Sequence, residues 1–204
     1  MIKNVTILDY DASNIFNLLN LLKKLEYKIK ISNKTKDIEK ADRLIIPGVG
    51  AFGEGMKILK KEKLIVPIKN FLEKERPLLG ICLGMQYFLE YSEEFGKNKG
   101  LEIIKGNVKK FPDHIKYRVP HVGWNLVKFD KDKIFNSLDN RSSFYFTHSF
   151  YVKPRNKKNI IGTTNYSKIN FCSVIKNKYF YGCQFHPERS GKNGIIFLKN
   201  FMNI

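Results

Sequence analysis

Apolar positions in the first half of the chain fall into short runs separated by stretches of helical spacing. Val5-Thr-Ile-Leu-Asp9 reads as a first strand. Ile15, Leu18, Leu19, Leu22 and Leu25 recur at the helical period, with Ser13 placed as the cap. Tyr27 to Ile31 alternates as a second strand, Thr35 and Asp37 open a short helix, and Arg43-Leu-Ile-Ile46 is a third strand. Met56 to Lys74 is helical, with a break expected before Pro67, because the residue ahead of a proline avoids the α region. Pro77 then opens Leu78-Leu79-Gly80-Ile81, the length and character of a buried parallel strand, and Met85 to Leu89 has helical spacing again. Strands alternating with helices imply right-handed crossovers and an α/β fold, with a mostly parallel sheet covered on both faces.

After Phe95 the rhythm changes. Strand-like runs cover Asn107 to Phe111, Val122 to Phe129, Phe144 to Val152, Ile160 to Thr164, Phe171 to Ile175 and Tyr179 to Phe185. They read as antiparallel meander strands continuing the same core, closed by an amphipathic helix from Asn193 to Met202. No repeat, linker or low-complexity tract interrupts the chain, so residues 1–204 are expected to form one domain.

Composition changes this picture little. Three cysteines without a C-x-x-C pair argue against a disulfide framework and suit a reducing cytoplasm. No apolar run reaches the length of a membrane span, and the first residues show no signal-peptide pattern. The formal charge of +18 is unusual, but its lysines spread from Lys3 to Lys199 instead of marking one face. That is a composition bias and not the footprint of a nucleic-acid binder. The expectation is a cytoplasmic protein without nucleic-acid or membrane partners.

The candidate chemistry centres on Gly80-Ile-Cys-Leu-Gly84, where a strand turns sharply into a helix. This is the nucleophile-elbow pattern with sulfur in place of the serine oxygen. The glycines suit a strained turn, and a helix start favours a thiolate. The stretch alone leaves open a buried cysteine in a Gly-rich strand end. A thiolate needs a base, and the base an orienter. Among His114, His121, His148 and His186, the last sits in Gly182-Cys-Gln-Phe-His-Pro-Glu-Arg189, with Glu188 two positions on, where an extended chain points both side chains the same way. A zinc site from Cys82, His121, His148 and His186 lacks ligand spacing. Gly48-Val-Gly-Ala-Phe-Gly53 matches a dinucleotide fingerprint, but it follows the third strand and not the first. A backbone loop presenting N–H groups beside the elbow is the better reading.

Together these residues resemble the class I glutamine amidotransferases, which use a Cys-His-Glu triad. The family-level motifs are Gly80-Ile-Cys-Leu-Gly-Met-Gln86 and Gln184-Phe-His-Pro-Glu188. Pro47-Gly-Val-Gly-Ala-Phe52, Val119-Pro-His-Val-Gly-Trp-Asn125 and Tyr145-Phe-Thr-His-Ser149 narrow the likeness to its glutaminase subunits, over nearly the whole chain. The resemblance implies a flavodoxin-like fold with an antiparallel C-terminal extension, and no cofactor or metal. It implies that Cys82 attacks the side-chain amide of glutamine, that His186 shuttles the proton and that Glu188 orients His186. The oxyanion would be held by N–H groups of Leu83 and of the loop at Val49 and Gly50. Gly50, Gln86, His148 and Ser149 match positions lining the glutamine pocket, though spacing alone leaves strand-end packing equally open for the last two.

Asn14, Asn17, Trp124, Tyr145 and Arg189 match positions facing a (β/α)8-barrel cyclase in a heterodimer, which receives ammonia through an internal channel for histidine biosynthesis. Trp124 read by itself could equally be a core aromatic. The alternative recipient is a sugar-amidating synthase of glycan assembly. A non-catalytic regulatory subunit is a third possibility, which the intact Cys82, His186 and Glu188 disfavour. The chain departs from the family in Asp9-Tyr-Asp-Ala-Ser-Asn14, where Asp11 and Ser13 stand in place of the usual glycines, and at Arg189, often a lysine.

Overall fold

The apolar runs of the first half become parallel strands in one continuous sheet. The computed structural model describes residues 4–11, 15–112 and 117–204; Ser13, Asn14 and His114 lie outside them. In chain order the elements are β1 (Asn4–Leu8), α1 (Ile15–Lys24), β2 (Lys28–Ser32), α2 (Thr35–Lys40), β3 (Arg43–Gly48), α3 (Phe52–Lys61) and α4 (Ile65–Glu73). There follow β4 (Leu78–Cys82), the single-turn α5 (Leu83–Gln86), β5 (Leu89–Ser92), β6 (Asn98–Lys99), β7 (Ile104–Lys110) and β8 (His121–Phe129). The chain ends with β9 (Ser142–His148), β10 (Phe150–Pro154), β11 (Ile160–Tyr166), β12 (Ile169–Asn177), β13 (Phe180–Cys183) and α6 (Gly191–Asn203).

Strands β2-β1-β3-β4-β13 run parallel, and the sheet continues through β12-β10-β7-β5-β6, with β11, β8 and β9 branching from β12. Alternation along each central strand splits the core into two layers. Leu44 and Ile46 face α2, α3 and α4, where Ile38, Phe52, Leu59 and Phe71 are buried. Ile45, Leu79 and Ile81 face α1 and α6, where Leu18, Leu22, Phe197 and Phe201 are buried. The chain therefore has the α/β fold expected, with helices on both faces. Register places Gly48 opposite Cys82 and Cys183 opposite Ile81, so the loops leaving β3, β4 and β13 converge at one end of the sheet. That end, beyond the carboxyl ends of the strands, is where open α/β sheets bind ligands.

Four expectations need correction or refinement. The helix after Cys82 stops at Gln86 and the chain enters β5, because Leu89 is drawn into the sheet beside Ile104. The helical stretch does break before Pro67, but at residues 62–64 and not at the residue ahead of the proline, so that Pro67 falls in the first turn of α4, where a missing N–H costs nothing. Phe144 to Val152 is two strands, broken at Ser149, whose carbonyl instead accepts from the Phe111 N–H at 3.0 Å. Finally, β13 pairs antiparallel with β12, as expected, but on its other edge it pairs parallel with β4, so it joins the meander to the parallel core.

The junction of β3, β4 and α5 tolerates no side chains at its glycines. A Cβ on Gly48 would lie 2.7 Å from the Gly84 nitrogen, and one on Gly80 2.7 Å from the Gly84 oxygen. A Cβ on Gly84 would collide with the Ile46 carbonyl oxygen, a backbone atom that cannot step aside. Gly84→Ala is therefore expected to destabilise the fold by about 1–3 kcal/mol, the usual scale of overpacking. Urea denaturation checks this, and an unchanged midpoint would show that α5 can shift off β3.

Candidate active site

Cys82 ends β4 with φ 54° and ψ −112°, a backbone region that residues with side chains rarely occupy. This strained residue turns the strand directly into α5, and its thiol lies on a cavity while remaining only 7 % exposed. The chain leaving β13 passes the elbow and brings in His186, whose Nδ1 is 2.7 Å from Glu188 Oε1. The short turn Pro187–Arg189 places Glu188, and the two side chains are 6 % and 8 % exposed. The His186 backbone is pinned as well: its N–H donates to the Tyr145 carbonyl at 2.9 Å, and its carbonyl accepts from Ser190 Oγ at 2.6 Å.

Burial alone would drive the His186 imidazole toward neutrality. Negative charge on Cys82 and the Glu188 carboxylate reverse that, raising its pKa to about 10. His186 Nε2 is buried with no hydrogen-bond partner. Buried polar atoms are normally paired, so an unpaired nitrogen beside a candidate nucleophile is suited to carrying a proton.

The cavity on Cys82 has a volume of about 400 Å³, within the range of small-molecule sites. Val49, Gly50, Leu83, Gln86, His148 and Ser149 all line it, so the structure brings together every residue expected at the oxyanion position or in the glutamine pocket. It adds Glu94, Pro120, Thr147 and Phe150. Pro120 and Thr147 sit inside motifs already noted, whereas Glu94 is one acid among many in a turn and carries no local signal. Glu94 Oε2 accepts from the Phe52 N–H at 2.6 Å, so it closes the N-terminus of α3 beside the Gly48–Gly53 loop. That loop packs on the elbow through Gly48 and on Asn98 through Gly53.

His121 and His148 form a neutral pair, with His148 in the cavity wall and His121 behind it. The Phe150 carbonyl can only accept, so His148 Nδ1, 2.7 Å away, carries a proton. His148 Nε2 then accepts from His121 Nδ1 at 3.0 Å, and His121 Nε2 accepts from the Asn125 amide at 3.3 Å. Burial lowers the pKa of His121 to about 4 and that of His148 to about 3, which keeps both rings neutral. With all their nitrogens engaged, neither ring offers a metal a lone pair, and His148 meets the cavity as a packed ring, not a polar contact. Among the described residues, no group of three or more His, Cys, Asp or Glu is arranged to hold a metal ion.

Next to the triad lies an exposed face. Trp124 is 57 % exposed and not a core aromatic; it meets Tyr145 edge-on at 6.2 Å between ring centroids. The Arg189 guanidinium stacks over the Tyr145 ring at 4.3 Å. Three of the five positions expected toward a partner, Trp124, Tyr145 and Arg189, thus adjoin one another, and Asn17 is exposed on α1, which packs against the Pro187–Arg189 turn. The fifth, Asn14, lies outside the described residues. Asp11 has φ 59°, the left-handed conformation that glycine adopts freely and that aspartate tolerates better than most residues.

Comparison with known proteins agrees with this geometry. The family model for Glutamine amidotransferase class-I matches residues 6–204. The chain is 39% identical over 211 residues to imidazole glycerol phosphate synthase subunit HisH 1 of Legionella pneumophila (strain Paris), covering 98% of this chain and 99% of the relative. It is 42% identical over 200 residues to imidazole glycerol phosphate synthase subunit HisH 2 of Methanococcus maripaludis, covering 97% and 98%. In fold it is similar to a chain of PurLQS from Thermotoga maritima, with a TM-score of 0.78 at 15% identity, covering 100% of this chain and 99% of that one. With a matched family model over residues 6–204 and a strained cysteine elbow facing a His-Glu pair, the chain belongs to the class-I glutamine amidotransferases.

Proposed function

We propose that this chain is the glutaminase subunit of an imidazole glycerol phosphate synthase, hydrolysing glutamine and passing ammonia to a (β/α)8-barrel cyclase in histidine biosynthesis. The observation that carries this reading is its likeness, at 39–42% identity over nearly the full length, to relatives of that name. Cys82 attacks the glutamine amide carbonyl, forming a C–S bond. His186 delivers a proton to the departing ammonia, and water, deprotonated by the same imidazole, then releases glutamate from the thioester. Glu188 holds His186 for both transfers. Gln86 has both amide hydrogens engaged, on the Phe150 carbonyl and on Gln184, so its free oxygen faces substrate as an acceptor. Glu94 supplies negative charge suited to the α-ammonium of glutamine.

The face formed by Trp124, Tyr145 and Arg189 supports docking of the cyclase, and the exposed Val122 and Leu126 flank Trp124 on the same side of β8. Delivery through the partner keeps ammonia from being protonated in bulk water. No helix among the described residues is long and apolar enough to cross a membrane, and we assign the complex to the cytoplasm.

The isolated chain is expected to be a weak glutaminase that its partner switches on. Gly50 has φ 97°, nothing lies within 4 Å of the position a Cβ would take there, and Val49 is 41 % exposed. A peptide with that freedom can hold two orientations, of which one aims an N–H at the developing oxyanion. A partner that binds one orientation better populates it, and coupling of this kind raises rates by about 5–150-fold. Glutamate release is measured for the chain alone, with the cyclase, and with cyclase plus acceptor substrate. Full activity in the chain alone would overturn the switch, and no activity under any condition would overturn the function.

A further inference from the structure

Gln184 belongs to the motif that supplies His186 and Glu188, yet the mechanism above gives it no role. Its side chain is fully buried, and its backbone N–H is tied to the Ser173 carbonyl at 2.8 Å. Gln184 Nε2 lies 3.5 Å from Cys82 Sγ. An amide can be turned over, so proximity does not by itself say whether nitrogen or oxygen faces the sulfur. The neighbours decide. The Phe150 carbonyl can only accept, so Gln86 turns its NH2 toward it, at 3.2 Å. The second hydrogen of that NH2 goes to Gln184 Oε1 at 3.1 Å. The Gln184 oxygen is thereby committed to Gln86, and its own NH2 is left facing the sulfur.

We propose that Gln184 is a further catalytic residue of this site: its amide N–H donates to Cys82 Sγ and favours the thiolate, in an orientation fixed by Gln86 and the Phe150 carbonyl. This rests on Cys82 being the nucleophile. The hydrogen bond is strongest while sulfur carries charge, weakens as the C–S bond forms and charge passes to the glutamine oxygen, and returns when the thioester is hydrolysed. A carbonyl in the same place would repel the thiolate. The Thr147 carbonyl oxygen is 4.0 Å from Sγ and can only accept the thiol proton.

The effect on rate has two opposing parts. A donor to a charged sulfur is on the scale of about one pH unit in the thiol midpoint. It also makes the thiolate less nucleophilic, by about threefold per unit. Removing it therefore slows attack about threefold below the midpoint and speeds it about threefold above. The other titratable groups around Cys82 are His186 and Glu188, Tyr10 and Tyr87 beneath the elbow, Cys183 on the neighbouring strand, and Glu94 and His148 in the cavity wall. None of them changes identity in the variants below, and the measured midpoint belongs to the coupled Cys82–His186 pair.

The test is alkylation of the full chain by iodoacetamide across pH, with the Cys82 peptide followed by mass spectrometry. Burial pushes the thiols of Cys172 and Cys183 up, so they serve as internal unreactive references. In Gln184→Met the midpoint is expected to rise by about one unit and the alkaline plateau by about threefold, so that its profile crosses the wild-type one. Gln184→Glu, which places an anion against the sulfur, is expected to shift further. Gln86→Met, which frees Gln184 to turn over, is expected to shift part of the way, and it reports on the proposal even if the Gln184 variants do not fold. Iodoacetamide needs no glutamine pocket, so the substrate role of Gln86 does not enter. An unmoved midpoint, or a rate lowered equally at every pH, would overturn the role of Gln184. A wild-type Cys82 no more reactive than Cys172 would overturn the nucleophile itself.

Discussion

Replacing Cys82 by serine is expected to abolish glutamine-dependent synthesis, by about 10⁴-fold or more, while ammonia-driven synthesis by the partner continues. The size of the loss follows from what the site is built to hold. The His186 imidazole, raised to about 10 by the charge on Cys82 and Glu188, stabilises an anion at the elbow. A serine hydroxyl does not ionise in this range, so the same surroundings face a neutral oxygen and the ion pair that sets up attack is absent. The elbow itself should survive, because a serine fits the space of the thiol and the strain at φ 54° is held by the Gly48, Gly80 and Gly84 contacts. The proposed division of labour does the rest: the thiol only makes ammonia and the partner only consumes it. Glutamate release and product formation, measured with glutamine and then with ammonium salt, separate the two. Equal loss of both would show that Cys82 supports the interface or the fold.

Much of the fold was legible because the parallel core writes itself in short apolar runs with helices between. The runs at Val5, Arg43 and Leu78 each became a strand buried in the sheet. What escaped was set by pairing, not by local pattern. Phe180–Cys183 has the same apolar character whatever its partners, and nothing local shows that it pairs antiparallel with β12 on one edge and parallel with Leu78–Ile81 on the other. Met85 to Leu89 has helical spacing, but Leu89 is claimed by Ile104 across the sheet. At the site, Cys82, His186 and Glu188 could be found because their chemistry forces a short spacing or a glycine pattern. Glu94 reaches the same cavity from a turn with no such constraint, and Gln184 was visible as a motif letter without its contact to Sγ. The His121–His148 pair could not be read either, since two histidines 27 residues apart meet only through the β8–β9 register.

Glu188→Gln is expected to keep the fold and lower glutamine-dependent turnover by about 10²–10⁴-fold, the range for losing a triad orienter. The 2.7 Å contact to His186 Nδ1 survives sterically, but the amide brings no charge and can present NH2 in place of oxygen, stabilising the wrong tautomer. Two of the causes that raise the His186 pKa, the hydrogen bond to Glu188 and its negative charge, disappear, while the burial that opposes them remains. The imidazolium therefore loses its proton at lower pH, and the alkaline limb of the rate profile moves down. Stability should follow the same sign. A histidine whose folded pKa, about 10, exceeds its ordinary value near 6.5 contributes stability that is complete below the lower value and lost as pH rises through the higher. Wild-type protein should thus lose stability between those limits more steeply than the Glu188→Gln variant, as urea midpoints at several pH values would record. Because His186 and Glu188 are 6 % and 8 % exposed, salt should screen this difference only weakly. If turnover and the alkaline limb both stay at wild-type values, His186 is positioned by its backbone contacts to Tyr145 and Ser190, and Glu188 is not the orienter.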